Sequence, residues 1–61
     1  MNMSKLPEDP VMLLSFINTK LRDQYASFDE LCSDLHILSF DVEDKLGEIG
    51  YFYSMKENRF I

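Results

Sequence analysis

In a chain of 61 residues, chemistry has to come from few side chains, and the first pair to weigh is Cys32 with His36, four positions apart and able to share one helix face. A zinc site needs three or four ligands. The chain has one cysteine and one histidine, so the pair reads as a core thiol and a polar residue near a helix end. Ser15, Ser33 and Ser54 have no histidine constellation to activate them. Asp41, Glu43 and Asp44 suggest a metal cluster, but these positions do not converge on one helix face, and a calcium loop's glycine and terminal glutamate are missing. They read as a solvated acidic face. Neither an enzyme nor a cofactor is expected, because carboxylates on solvent faces keep ordinary pKa values and so short a chain has little room for a water-excluding pocket.

The basic residues form the other candidate constellation. Lys20 and Arg22 could join Lys56 and Arg59 beside Tyr51 or Tyr53, and cations interleaved with aromatics suit single-stranded nucleic acid. The more ordinary expectation is that these four solvate an acidic surface and pair with their neighbours. Net charge is −5, and it is unevenly spread. Met1 to Ala26 is balanced, Tyr51 to Ile61 is slightly basic, and Ser27 to Gly50 sets Lys45 against Asp29, Glu30, Asp34, Asp41, Glu43, Asp44 and Glu48. Non-specific DNA affinity comes mainly from Lys and Arg neutralising phosphates. A helix carrying Lys45 among four carboxylates is repelled instead, at roughly 1 kcal/mol per close unit pair in water. Double-stranded DNA is not an expected partner.

The elements that position these residues must fit one small domain, 1–61. A chain of this size buries only about 60% of its unfolded surface, so its stability is marginal and a partner subunit would help. A hydrophobic content of 46% with eight aromatics excludes a disordered chain. Met1 to Asp9 is polar and broken by Pro7, unlike a signal peptide, and no apolar run approaches the roughly 20 residues of a membrane span. A cytoplasmic protein without a membrane role is expected.

Asp9 is placed as an N-cap with Pro10 at the first helical position. Leu14, Ile17, Leu21 and Tyr25 then recur at helical spacing, with Leu13 and Phe16 widening the stripe. Ser27-Phe28-Asp29-Glu30 has the form of a capping box. It opens a short second helix with Phe28, Leu31, Cys32 and Leu35 on one face. Ser39 or Asp41 can cap a third helix carrying Val42, Leu46 and Ile49, and Gly50 suits a left-handed stop. Gly47 costs about 1 kcal/mol inside that helix, which a close backbone approach would explain, an accident on the solvent side being the alternative. After Gly50 the strand-favouring Tyr51, Phe52 and Tyr53, a turn over Ser54 to Asn58, and Arg59 to Ile61 read as a hairpin. The expected fold is thus mainly α. Helices near 10–25, 28–36 and 40–49 form a helix-turn-helix-like core, and a short C-terminal β-hairpin follows. The expected buried centre is Leu14, Ile17, Leu21, Leu31, Leu35, Val42, Leu46, Ile49 and Phe52.

From Ser27 onward, Glu30-Leu31, Leu35, Ile37, Ser39, Val42, Leu46, Ile49-Gly50 and Tyr51 resemble the hydrophobic skeleton of a minimal winged helix-turn-helix. Over its whole length the chain resembles an uncharacterised family of short bacterial proteins, domain of unknown function 4250. The stretches that carry this are LPEDPVMLLSFINTKLRDQY at Leu6 to Tyr25, SFDELCSDL at Ser27 to Leu35, and IGYFY with the later Asn58 and Phe60. That resemblance implies a bacterial origin and carries over no activity or site.

The first helix holds apolar residues at 11, 12, 13, 14, 16, 17 and 21, more than one face can direct into so small a core. Met12, Leu13 and Phe16 are therefore the expected partner-binding residues. The expected function is a small interaction module, self-associating as a homodimer or adaptor-like toward a protein partner. Weak nucleic-acid binding by Lys20, Arg22, Lys56 and Arg59 is the alternative.

Overall fold

The computed structural model describes residues 6–61; Met1 to Lys5, the start of the polar leader, lie outside the described residues. Helix α1 spans Pro10–Asp23, α2 Phe28–Leu35 and α3 Ser39–Gly47, followed by strands β1, Tyr53–Ser54, and β2, Arg59–Phe60. The strands pair antiparallel, Tyr53 opposite Phe60 and Ser54 opposite Arg59. Backbone bonds of 2.9 Å in both directions between Phe52 and Ile61 extend the ladder by one pair.

Most helix boundaries have a local cause. The Asp9 carboxylate accepts from the Met12 N–H at 3.3 Å, and Pro10 stands at the first helical position as expected. Ser27 Oγ accepts from the Glu30 N–H at 3.1 Å, but Glu30 reaches back to the N–H of Ala26, one residue earlier than the capping box predicts. His36 ends α2 in the left-handed conformation, at φ 57°. Neither Ser39 nor Asp41 caps α3: Leu38 is its N-cap and offers no side-chain bond. Gly50, at φ 84°, supplies the left-handed stop after α3.

Leu13, Ile17 and Leu21 from α1 meet Phe28, Leu31, Cys32 and Leu35 from α2, Val42 and Leu46 from α3, and Phe60 from β2. Phe60 is 1% exposed and stands edge-on to Phe28, with ring centroids 5.0 Å apart. The hairpin is therefore a wall of the core more than a free wing. Two expectations need correction. Leu13, expected at the surface, is 1% exposed, because the lead-in Leu6 to Glu8 folds over it and is fastened to α3 where Lys45 Nζ donates to the Glu8 carbonyl at 3.0 Å. Phe52, expected inside, is 65% exposed. Its neighbour Tyr53 and its near-opposite Phe60 take the inner face, and alternation along a strand sends Phe52 outward. Leu14 and Ile49 are half-buried against the core.

Candidate interaction surface

Two asparagines fix the hairpin to the helices and so determine what the remaining surface can offer. Asn18, on α1, pairs with the backbone of Phe60 through both ends of its amide: Nδ2 donates to the Phe60 carbonyl at 3.1 Å and Oδ1 accepts from its N–H at 2.8 Å. Asn58 sits at φ 54°, a left-handed position that asparagine tolerates well. Its Nδ2 donates to the carbonyls of Leu21 and Tyr25 at 3.3 and 3.0 Å, one in the last turn of α1 and one just past it. Its Oδ1 accepts from the Tyr53 hydroxyl at 2.6 Å, and Tyr53 Oη accepts from the Phe28 N–H at the start of α2 at 3.2 Å. One short polar chain thus closes the end of α1, the start of α2 and the hairpin turn. No buried side-chain nitrogen or oxygen among the described residues lacks a partner.

The expected site residues separate. Met12 is 61% exposed, with Val11 beside it, at the outward face of the first turn of α1. Phe16 is half-buried, and Lys20 Nζ lies over its ring, 5.6 Å from the centroid. Farther along, the outer face of α1 turns polar through Ser15, Thr19 and Arg22. No continuous apolar stripe remains on this helix.

Of the basic residues, the structure brings Arg22 and Arg59 together. They line a cleft of about 470 Å³ between α1 and the hairpin, with Ser15, Asn18, Thr19 and Glu57. Each guanidinium is already engaged. Arg22 holds Asp23 through two bonds of 2.8 and 3.1 Å, and that pairing lowers the carboxyl's pKa and raises the arginine's. Arg59 Nε holds Glu57 at 3.0 Å. Lys20 donates to Gln24 at 3.5 Å, and Lys56 stands exposed in the hairpin turn. The four do not form one patch.

The apolar surface that sequence reasoning missed lies around α3. Phe40 is 58% exposed, as is Leu38 just before the helix. Val42 and Leu46 point into the core, which turns Phe40, Asp44 and Gly47, spaced four then three, to the opposite face. The Phe52 ring closes the far end of this line: a Cβ added at Gly47 would stand 3.5 Å from its edge. A ring, not a backbone, is thus what approaches Gly47. Ile61, hydrogen-bonded directly opposite Phe52, shares its face and is 49% exposed. Asp41 and Glu48 flank the line on one side and Glu43 on the other, all exposed. The signal was present in the sequence, since the positions of Val42 and Leu46 alone direct Phe40 outward.

Cys32 and His36 diverge. The thiol is buried, and burial pushes its pKa up to about 11, with the nearby charges of Asp29 and Glu43 adding to the rise. His36 is exposed at the helix end. No described helix is long and apolar enough to cross a membrane.

No curated protein and no solved structure matches the chain. The family model for a domain of unknown function, DUF4250, matches residues 7–60, the span that holds the Asp9 cap, the Asn18 and Asn58 fastenings and the α3 face; the chain belongs to that family.

Proposed function

We propose that the protein is a small interaction module that presents apolar surface to a polypeptide, either a second copy or a dedicated partner. The observation that carries this is the set of large apolar side chains left outside a core that is already closed: Phe40, Phe52 and Ile61 around α3, with Val11 and Met12 on α1. Large apolar side chains left at the surface of so small a domain favour a place where another chain docks. Burying one such side chain fully is worth about 1.5 to 3 kcal/mol, a large share of what a domain this small has.

Phe40→Ser and Phe52→Ser together, set beside Met12→Ser, test the proposal. Sedimentation of the purified protein, run beside affinity capture from its own cells, is expected to show an assembly. The first pair should dissolve it while circular dichroism stays unchanged. A wild-type chain that is strictly monomeric at high micromolar concentration and captures no partner would overturn the proposal. Nucleic-acid binding draws its support from Arg22 and Arg59 on one cleft, but Asp23 and Glu57 offset both charges locally. Retention on a polyanion resin, abolished by salt and by Arg22→Ala with Arg59→Ala, would favour that alternative.

A further inference from the structure

The outward face of α3 combines two properties that select among partners. Its apolar groups stand at the two ends of a line, Phe40 at one and Phe52 with Ile61 at the other, and the seven residue steps from Phe40 to Gly47 span about 10 Å along the helix axis. Between and beside them are the exposed carboxylates Asp41, Glu43, Asp44 and Glu48. The one cation of α3, Lys45, is half-buried and turned away to the Glu8 carbonyl. The C-terminal end of the helix, nearest Phe52, adds the partial negative charge of its macrodipole.

Resting on the interaction reading above, we propose that this face docks a basic amphipathic helix of a partner protein. Two apolar anchors of that helix, about two turns apart, contact Phe40 and the Phe52–Ile61 pair, and Lys or Arg residues between them face Asp44, Asp41 and Glu48. A second copy of this chain does not suit the face, because a twofold contact would set those carboxylates against one another. Charge complementarity therefore names the partner class, and the apolar ends fix its register.

A short amidated leucine–lysine helix with its leucines on one face is the probe, and a leucine–glutamate peptide of the same pattern is the control. Titrated into isotope-labelled protein, the lysine peptide is expected to shift amide resonances of Phe40, Asp44, Gly47, Phe52 and Ile61, and the glutamate peptide to shift none. Asp44→Asn with Glu48→Gln, and separately Phe40→Ser with Phe52→Ser, should each weaken binding about tenfold or more. Asp23→Asn with Glu57→Gln removes the same charge from the α1–hairpin side, where these carboxylates pair with Arg22 and Arg59, and should change affinity less than twofold. Equal losses from the two charge pairs, shifts mapping to another surface, or no binding would each overturn the proposal. A partner from the protein's own cells that is captured equally well by the Asp44→Asn with Glu48→Gln variant would leave the interaction reading standing while removing this face from it.

Discussion

The two sides of the hairpin are built on opposite terms. On the inner side, Phe60 and Tyr53 meet Phe28 in a cluster of three rings, with the Phe60 backbone held by Asn18 and the Tyr53 hydroxyl by Asn58 and the Phe28 N–H. On the outer side, one residue away in sequence, Phe52 and Ile61 lie opposite each other, largely exposed, with the Phe52 ring beside Gly47. Strand alternation alone converts a neighbour in the chain into its opposite in environment. The inner side specifies the fold, and the outer side is free to serve something outside it.

The sharpest way to break this comparison is to truncate one aromatic from each side. Phe60→Ala is expected to cost about 3 to 5 kcal/mol, most of the roughly 3 to 9 kcal/mol that a chain of this length commands. Circular dichroism should show a largely unfolded protein. Phe52→Ala should move the urea midpoint by the equivalent of about 1 kcal/mol or less, the scale of a surface change. Similar losses at the two positions would mean that the outer face is also part of the fold's own support.

Asn58 tests whether the polar fastening matters apart from the rings. Asn58→Gly keeps the left-handed backbone but leaves the Leu21 and Tyr25 carbonyls and the Tyr53 hydroxyl without their partner, at an expected cost of about 2 to 3 kcal/mol in urea unfolding. Asn58→Ala adds the strain of its φ of 54°, about 1 kcal/mol more. Equal stability of the two variants would show that the side-chain bonds dominate entirely.

The buried thiol reports on the inner side without a mutation. Because the folded state raises the Cys32 pKa from 9.0 to about 11, the protonated form is the native one. Its contribution to stability is whole below about pH 9 and is lost as pH rises through about 11. Thiol-reagent titration at pH 8 should be slow in buffer and fast in urea. The smallest effect belongs to the outer side: Gly47→Ala places a methyl in ordinary contact with the Phe52 ring and gains helix propensity, raising stability by up to about 1 kcal/mol in thermal melts.

Much of this arrangement is legible in the sequence because it is local. The Asp9 and Ser27 caps each depend on a side chain three residues from the N–H it satisfies, and the Gly50 stop depends only on that residue's own φ. What escapes is set at a distance. Leu13 and Leu14 both lie at helical spacing from Ile17 and Leu21, and the choice between them is made by a lead-in held down from α3. The roles of Asn18 and Asn58 depend on bonds across 42 and 37 residues, which no spacing rule contains. Which of Tyr51, Phe52 and Tyr53 turns inward is fixed only when Phe60 enters the core and sets the register. At the surface, the acidity of α3 is plain in the sequence, whereas the arrival of Phe52 and Ile61 at its end is not.

The pairing of Asn18 with Phe60 has a bearing on solubility as well as shape. An edge strand normally offers its outward N–H and C=O to any other extended chain, which is how sheets grow into aggregates. At Phe60 both groups are already held by one side-chain amide, so α1 supplies a permanent stopper for β2. Removing it, as in Asn18→Val, would do more than loosen a helix contact: it would leave an uncapped strand beside an exposed phenylalanine and isoleucine, the combination from which fibrous self-assembly starts.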